Sequence, residues 1–342
     1  MAIRHITVHH VTRAPEDGPV DLDESPRELT NNADIESLFG HFKRLFNSKP
    51  GKQFGRFHED HGQYPAGTWT RELIDRKMPF TSWAQKLSRE FKQHLESHPC
   101  ELDFYILYIE EQVERGRRLH ILLTETESGF AYASQLNVEP VEYLNTARLE
   151  IAARLEIEDW LTDTQSTSYL CLLTARTAAK AGDTFARAIG FQSATNIEQD
   201  TATFLDAIEQ FCDHSEEDAG KVIRKKAYDF CVEQHKAGEP VRFEELSGVV
   251  DEESPNRFAE FAKTALETDN TELRPDYRKL KRLVRFSGKG NGISLSFSSD
   301  LIESSIIYDR SANSLIIKDI PKTLKQQLSQ YFEQKKEGSG TG

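Results

Sequence analysis

Hydrophobic and polar positions alternate over residues 3–11 (IRHITVHHV), a period of two that predicts a strand with one buried face. Prolines and acids make residues 12–30 mostly loop. The period then changes: Ile35, Leu38, Phe39, Phe42, Leu45 and Phe46 fall at helical spacing, with Asn31 and Asn32 placed to cap the first turn and SKPG (48–51) to end the helix. Residues 53–58 read as a strand and 63–68 as a loop. Trp83, Leu87, Phe91 and Leu95 mark one face of a second helix that closes before Pro99. Strands are expected at 102–109 (LDFYILYI, apolar on both faces and therefore central), 119–124 and 130–136, with a tight turn at 114–117. RLEI occurs at 148–151 and again at 154–157. An even offset keeps Leu149, Ile151, Leu155 and Ile157 on one side of a strand, whereas a helix would rotate the second copy by ~240°, so 147–159 reads as a strand.

After the polar run 162–168 the texture becomes helical. A short apolar segment (169–174) precedes helices expected over 177–189, 201–212, 215–236, 243–249 and 257–266; Ser215 is placed to cap the third, and Gly238 and Pro240 to terminate it. Alternation returns at Ile293, Leu295 and Phe297 against Ser294, Ser296 and Ser298, behind the glycine-rich turn 288–292. A second hairpin (305–308 with 314–318) and a last helix carrying Leu324, Leu328, Tyr331 and Phe332 follow. The fold class is therefore α+β. Residues 1–162 form an N-terminal domain on a mostly antiparallel sheet with helices; residues 163–336 form a helical C-terminal domain with two β-hairpins; residues 337–342 are a flexible tail.

Charge changes this picture most. The 342 residues carry a net charge of −13, but unevenly: residues 161–272 hold 11 basic and 22 acidic side chains, residues 273–342 hold 13 and 7. Arg274, Arg278, Lys279, Lys281, Arg282, Arg285 and Lys289 face only Asp276 within 274–289. An acidic body with a basic end excludes a polyanion wrapped over the whole surface and allows a confined contact. The bland alternative is a solvated basic face beside an ordinary glycine turn. A second cluster, Lys221, Arg224 and Lys225, falls on one face of the helix expected at 215–236. Cys100, Cys171, Cys212 and Cys231 show no CxxC spacing and sit mostly in apolar runs, as buried free thiols do in a reducing compartment. No signal peptide is read in residues 1–11 and no apolar run approaches the ~20 residues that span a bilayer, so a cytoplasmic location without a membrane partner is expected.

The segments LEIEDWL (155–161), AYDFCVEQHKAGEPV (227–241) with the EELS that follows, KRLVRFSG (281–288), ISLSF (293–297) and the order IIYD, LIIKDIP, LKQQL near the end are similar to the bacterial 37-kDa nucleoid-associated protein family, the YejK/NdpA-like proteins. The resemblance is strongest from about residue 149 to 332 and looser over the first 100. It implies a cytoplasmic protein of the nucleoid that binds double-stranded DNA, and it supplies no catalytic residues. One departure is that TARTAAKAGD (174–183) keeps only Arg176 and Lys180, which weakens any DNA contact through that helix.

The resulting expectation is a non-enzymatic, sequence-tolerant DNA-binding protein. The ten basic residues named above neutralise duplex phosphates, no cofactor or metal takes part, and the apolar helix stripes suggest a homodimer, with DNA-associated proteins as further partners. The alternative is an adaptor for DNA-associated or defence machinery; a metal-dependent nuclease comes third. His58 and His61 (HEDH) lack the helical spacing of a zinc protease motif. Asp21, Asp23, Glu24, Glu59 and Asp60 are dispersed as chance would place acids in an acidic chain, GKGNG lacks the order of a phosphate-binding P-loop, and Arg115, Arg117 and Arg118 read as ordinary turn and edge residues.

Overall fold

A computed structural model describes residues 2–49, 51–132, 137–162, 168–193, 197–213, 217–266, 272–302 and 304–338. The chain forms two compact units. The first takes residues 1–201 and two returning segments, 233–240 and 274–276. Its centre is an eight-stranded sheet of β1 (Ala2–Arg13), β2 (Asp21–Glu24), β3 (Gln53–Phe57), β4 (Leu102–Val113), β5 (Gly116–Thr124), β8 (Ile151–Glu156), β9 (Leu170–Thr174) and β10 (Phe191–Ser193); β6 (Thr126–Tyr132) and β7 (Val138–Leu144) form a separate two-stranded ribbon. The order across the large sheet is β10-β3-β9-β8-β5-β4-β1-β2, and every neighbouring pair is antiparallel. Helices α1 (Ala33–Ser48), α2 (Ala66–Ile74), α3 (Phe80–Ser97), α4 (Ile157–Thr162) and α5 (Ala179–Ala188) complete the unit.

The reading of residues 102–109 as doubly apolar is explained by two cores. Phe104, Ile106 and Tyr108 of β4 pack with Trp83, Leu87 and Phe91 of α3 and Phe185 of α5. Leu107 and Ile109 point the other way, into Phe39, Phe42 and Phe46 of α1. Asn32 caps α1, its side chain accepting from the Ile35 backbone N–H at 2.9 Å.

The repeat at 148–157 behaves as expected except at its start. Ile151, Leu155 and Ile157 share one core, although Ile157 already opens α4, but Leu149 belongs to the opposite one. The Asn145 side chain accepts from the backbones of Ala147 and Arg148, fixing a turn that delays the strand. The boundary expected at 162/163 is also displaced. β8 and β9, on either side of it, pair from Ile151↔Thr174 to Leu155↔Leu170 inside one sheet, and the first unit runs on to residue 201. Residues 163–167 of that boundary, residues 133–136 of the expected third strand and the Ser215 cap lie outside the described residues.

The second unit takes residues 202–232, 241–273 and 277–342. It draws on α6 (Ile197–Asp213), α7 (Glu217–Ala237), α8 (Phe243–Val250), α9 (Arg257–Ala265) and α10 (Tyr277–Leu280), with β11 (Val241–Arg242) paired to β12 (Glu272–Leu273). Phe204, Ile208, Phe211, Ala227, Cys231, Phe243, Leu246 and Phe258 form its core. Two ribbons follow, β13 (Arg285–Gly290) with β14 (Ile293–Ser298) and β15 (Ile306–Asp309) with β16 (Ser314–Ile317), and then α11 (Lys322–Gly338). The tail expected to be flexible from residue 337 is helical at Glu337 and Gly338; residues 339–342 lie outside the described ones. All four cysteines are free and buried. No helix among the described residues is long and apolar enough to cross a membrane.

Candidate nucleic-acid interface

The basic segment is fixed by two apolar anchors. Leu280 and Leu283 are buried at 0% and 1% exposure in the second unit's core. They bracket the step from α10 into a turn of 3-10 helix, Lys281–Leu283. With those side chains turned in, Arg278, Lys281, Arg282 and Arg285 are exposed and Lys279 is half-buried. Lys281 Nζ lies 5.9 Å from the centre of the Tyr277 ring, and Arg282 approaches Asp206 at 3.6 Å while its side chain stays 61% exposed.

The ribbon β13–β14 turns at Asn291 (φ +49°) and Gly292 (φ +78°), the two-residue turn in which both central residues are left-handed, as Asn-Gly favours. Its register, from Arg285↔Ser298 to Gly290↔Ile293, sorts the side chains into two faces. Arg285, Ser287, Lys289, Ser294, Ser296 and Ser298 lie on one. Phe286, Gly288, Gly290, Ile293, Leu295 and Phe297 lie on the other. The first face offers two cations and four hydroxyls with no carboxylate among them, and Arg285 Nη2 donates to Ser296 Oγ at 3.1 Å. The second was expected to be buried. Instead Ile293 is 59% and Phe286 51% exposed, and only Phe286 and Phe297 pair, their ring centres 5.7 Å apart.

Helix α7 meets the basic segment through Tyr228, which hydrogen-bonds to Tyr277. Lys221, Lys225 and Tyr228 follow at i, i+4 and i+7 and so share a stripe. Burial raises the pKa of Tyr228, and a hydrogen bond to Tyr277 raises it further while nearby Arg285 opposes. Lys221 and Lys225 are exposed. Arg224 donates to Glu209 at 2.8 Å and its side chain is 26% exposed, and Lys226 is tied to Glu252 at 2.8 Å. Burial works against the charge of Arg224, but Glu209 raises its pKa nonetheless. Tyr228 had no signal in the sequence, because its part depends on Tyr277, 49 residues on.

Arg274 is a correction. Its side chain is 10% exposed and lies in the first unit, with Nη2 3.7 Å from Glu156 Oε1, Nη1 donating to the Gly238 carbonyl at 3.2 Å and the guanidinium 5.3 Å from the centre of the Phe54 ring. Glu156 also receives Arg118 Nε at 2.6 Å and Arg154 Nε at 2.9 Å. Burial would raise its carboxyl, but Arg154, Arg274 and Arg118 hold it at about 2. An arginine committed in this way neutralises a glutamate and not a phosphate. Arg117 and Arg118, read as turn residues, are likewise internal partners of Glu158, Glu156 and Glu239.

The remaining candidates close on themselves. His58 Nδ1 accepts from the Asp60 backbone, and Asp60 Oδ1 accepts from Gly62 and Gln63, so the HEDH motif is a hydrogen-bonded turn. Glu24 accepts from Arg89 Nε and Nη2 at 2.8 and 2.6 Å. Among the described residues no group of three or more His, Cys, Asp or Glu side chains is arranged to hold a metal ion.

Comparison with known proteins agrees in extent with this layout. The family model described as "Nucleoid-associated protein YejK" matches residues 7–325. A nucleoid-associated protein of Pseudomonas fluorescens is 31% identical over 330 residues, 96% of this chain and 99% of its own. One of Pseudomonas putida is 30% identical, covering 96% and 98%. Another, of Metapseudomonas resinovorans, is 29% identical, covering 96% and 99%.

Proposed function

Because the chain belongs to the family of nucleoid-associated protein YejK, we propose that it works in the nucleoid as a homodimer that holds duplex DNA by its phosphates, without a catalytic step and with little preference for sequence. The observation that carries this reading is the two-faced ribbon β13–β14. One side of it is made only of arginine, lysine and serine, side chains that bond phosphate oxygens, and contacts to phosphates position a duplex without reading its sequence. Lys281 and Arg282 at its root and Lys221 and Lys225 on α7 extend the positive surface, with Arg278 and Lys279 beside them. Arg274, and in large part Arg224, are drawn off by Glu156 and Glu209.

If Lys221, Lys225, Lys281, Arg282, Arg285 and Lys289 each neutralise one phosphate, log K falls against log salt with a slope of about −5. That corresponds to about 10³-fold weaker binding at 200 mM than at 50 mM salt. Titrating the purified protein into a random-sequence duplex at several salt concentrations tests this. A slope near that value on unrelated sequences supports the proposal; no binding at 50 mM overturns it in favour of an adaptor role.

A further inference from the structure

A cleft of about 540 Å³ opens within the first unit, a volume in the range of small-molecule sites. Three elements wall it. Helix α1 presents Glu36, Phe39, Gly40, Lys43, Arg44 and Asn47, the i, i+3, i+4 stripe of one helix face. The sheet presents Ile3, Glu111 and Arg118, which stand side by side because Ile3↔Glu111 and Glu111↔Arg118 are register partners across β1, β4 and β5. The returning segment 233–240 presents Lys236, Ala237 and Glu239. Asn47 fixes this third wall, its Nδ2 donating to the Ala237 carbonyl at 3.2 Å.

The buried acids of this region are already matched. Glu111 meets Lys43 at 2.6 Å and His120 at 3.0 Å. Arg118 bonds Glu156 and Glu239, each at 2.6 Å, while Arg154 and Arg274 also crowd Glu156. Three arginines thus face two glutamates behind the wall. At the mouth, Arg44 and Lys236 are exposed, and neither meets a carboxylate among the described residues. The contact of Asn47 with residue 237 brings Lys236 to the end of α1 that carries Arg44. Glu36 lies two turns the other way, ~12 Å along the helix. Two unpaired cations match the nearly two negative charges of a phosphomonoester better than the single charge of a carboxylate. Glu36 and the exposed Glu114 would repel that group and accept from hydroxyl or amino donors instead, which sets its orientation.

We propose that this cleft binds a small phosphorylated metabolite, its phosphate held by Arg44 and Lys236 and its hydroxyl- or amino-bearing body turned toward Glu36, the chemistry that a nucleotide and a sugar phosphate share. Ile3, Phe39 and Val113 add apolar surface to the walls. Gly40 keeps the cleft open: it stands in the middle of α1, where glycine is a poor helix former, and a Cβ there would meet only Arg44 Nη1, at 3.7 Å. The site uses none of the residues proposed to hold DNA.

Isothermal titration calorimetry of the full chain with AMP, glucose 6-phosphate, adenosine, glucose and inorganic phosphate tests this. AMP, glucose 6-phosphate or both should bind once per chain, and which of them binds tells a nucleotide site from a sugar-phosphate site. The matching unphosphorylated compound should bind about 30-fold more weakly, or not at all, for want of the charge-assisted contacts. Arg44→Gln with Lys236→Gln changes only exposed side chains and should cost a similar factor, about 30-fold. Gly40→Leu fills the cleft and should abolish binding while leaving duplex affinity at the parent value. The proposal is overturned if neither phosphorylated compound binds the unaltered chain, or if inorganic phosphate or the unphosphorylated compound binds as tightly. It is also overturned if binding survives Gly40→Leu and is lost on Arg285→Gln with Lys289→Gln, which would put the phosphate on the β13–β14 ribbon. None of these results touches the DNA reading, which rests on the duplex titration.

Discussion

Arg285→Gln with Lys289→Gln removes both cations from the serine face of β13–β14 while leaving its hydroxyls in place. Neither residue supports the fold, since all six residues of β13 are exposed and Arg285 donates to the Ser296 hydroxyl of the same ribbon. The magnitude follows from counterion release. Each phosphate contact is worth 0.9 times the logarithm of the salt concentration, so at 0.15 M one contact contributes about 0.7 log units, or ~1 kcal/mol. Losing two is expected to weaken binding about 30-fold at 0.15 M and to reduce the salt slope in magnitude by about 1.8. Fluorescence anisotropy of a labelled random duplex, titrated at four salt concentrations, gives both values from one data set. Thermal unfolding of the variant should stay within about 0.5 kcal/mol of the parent. An unchanged slope would refute the reasoning even if affinity fell, because a loss without a change in slope is not a loss of phosphate neutralisation.

Other perturbations separate architecture from binding. Glu156→Gln leaves Arg118, Arg154 and Arg274 with less buried counter-charge; urea unfolding should show a loss of about 3–5 kcal/mol, with the salt slope of surviving folded protein unaltered. Gly238 has φ +76°, and a Cβ there would stand 2.5 Å from Asn47 Oδ1 and 2.8 Å from Arg154 Nη1; Gly238→Ala should therefore lower the urea midpoint, by an amount equivalent to about 2–4 kcal/mol. Burial pushes His9 and His120 down to about 4, below the 6.5 of a free histidine. Between these values the unfolded chain binds more protons than the folded one, so stability should be full above pH 6.5 and fall as pH drops toward 4. Calorimetry across that range checks it, and His9→Asn should flatten the profile.

Period and capping made much of the framework legible. The apolar stripe of α1 with its Asn32 cap, the doubly buried β4 and the alternation of β14 are local properties of a few consecutive residues. What escaped depends on distant partners. The hydrogen-bonded chain His9–Ser88–Tyr108 joins β1, α3 and β4 at 2.8 Å per step, and nothing in any one segment announces it. Arg274 stands in a basic run and looks like its neighbours, but residues 233–240 return beside β8 and draw it to Glu156. Alternation at Ile293, Leu295 and Phe297 correctly separates two faces of a strand. It reports segregation and not what covers the apolar side, which is why exposure there was unforeseen. The RLEI repeat failed at its start for a related reason: a turn at Asn145 overrides the period and leaves Leu149 in the opposite core.

The most direct measurement places a photo-crosslinking side chain at Ser294, opposite Lys289 on the cationic face, and separately at Leu295 on the apolar face. Irradiation of each with a random duplex at low salt reads which side of the ribbon meets DNA. If arginine, lysine and serine hold the phosphates, position 294 crosslinks and position 295 does not. Crosslinking from 295 alone, or from neither while the duplex stays bound, contradicts it.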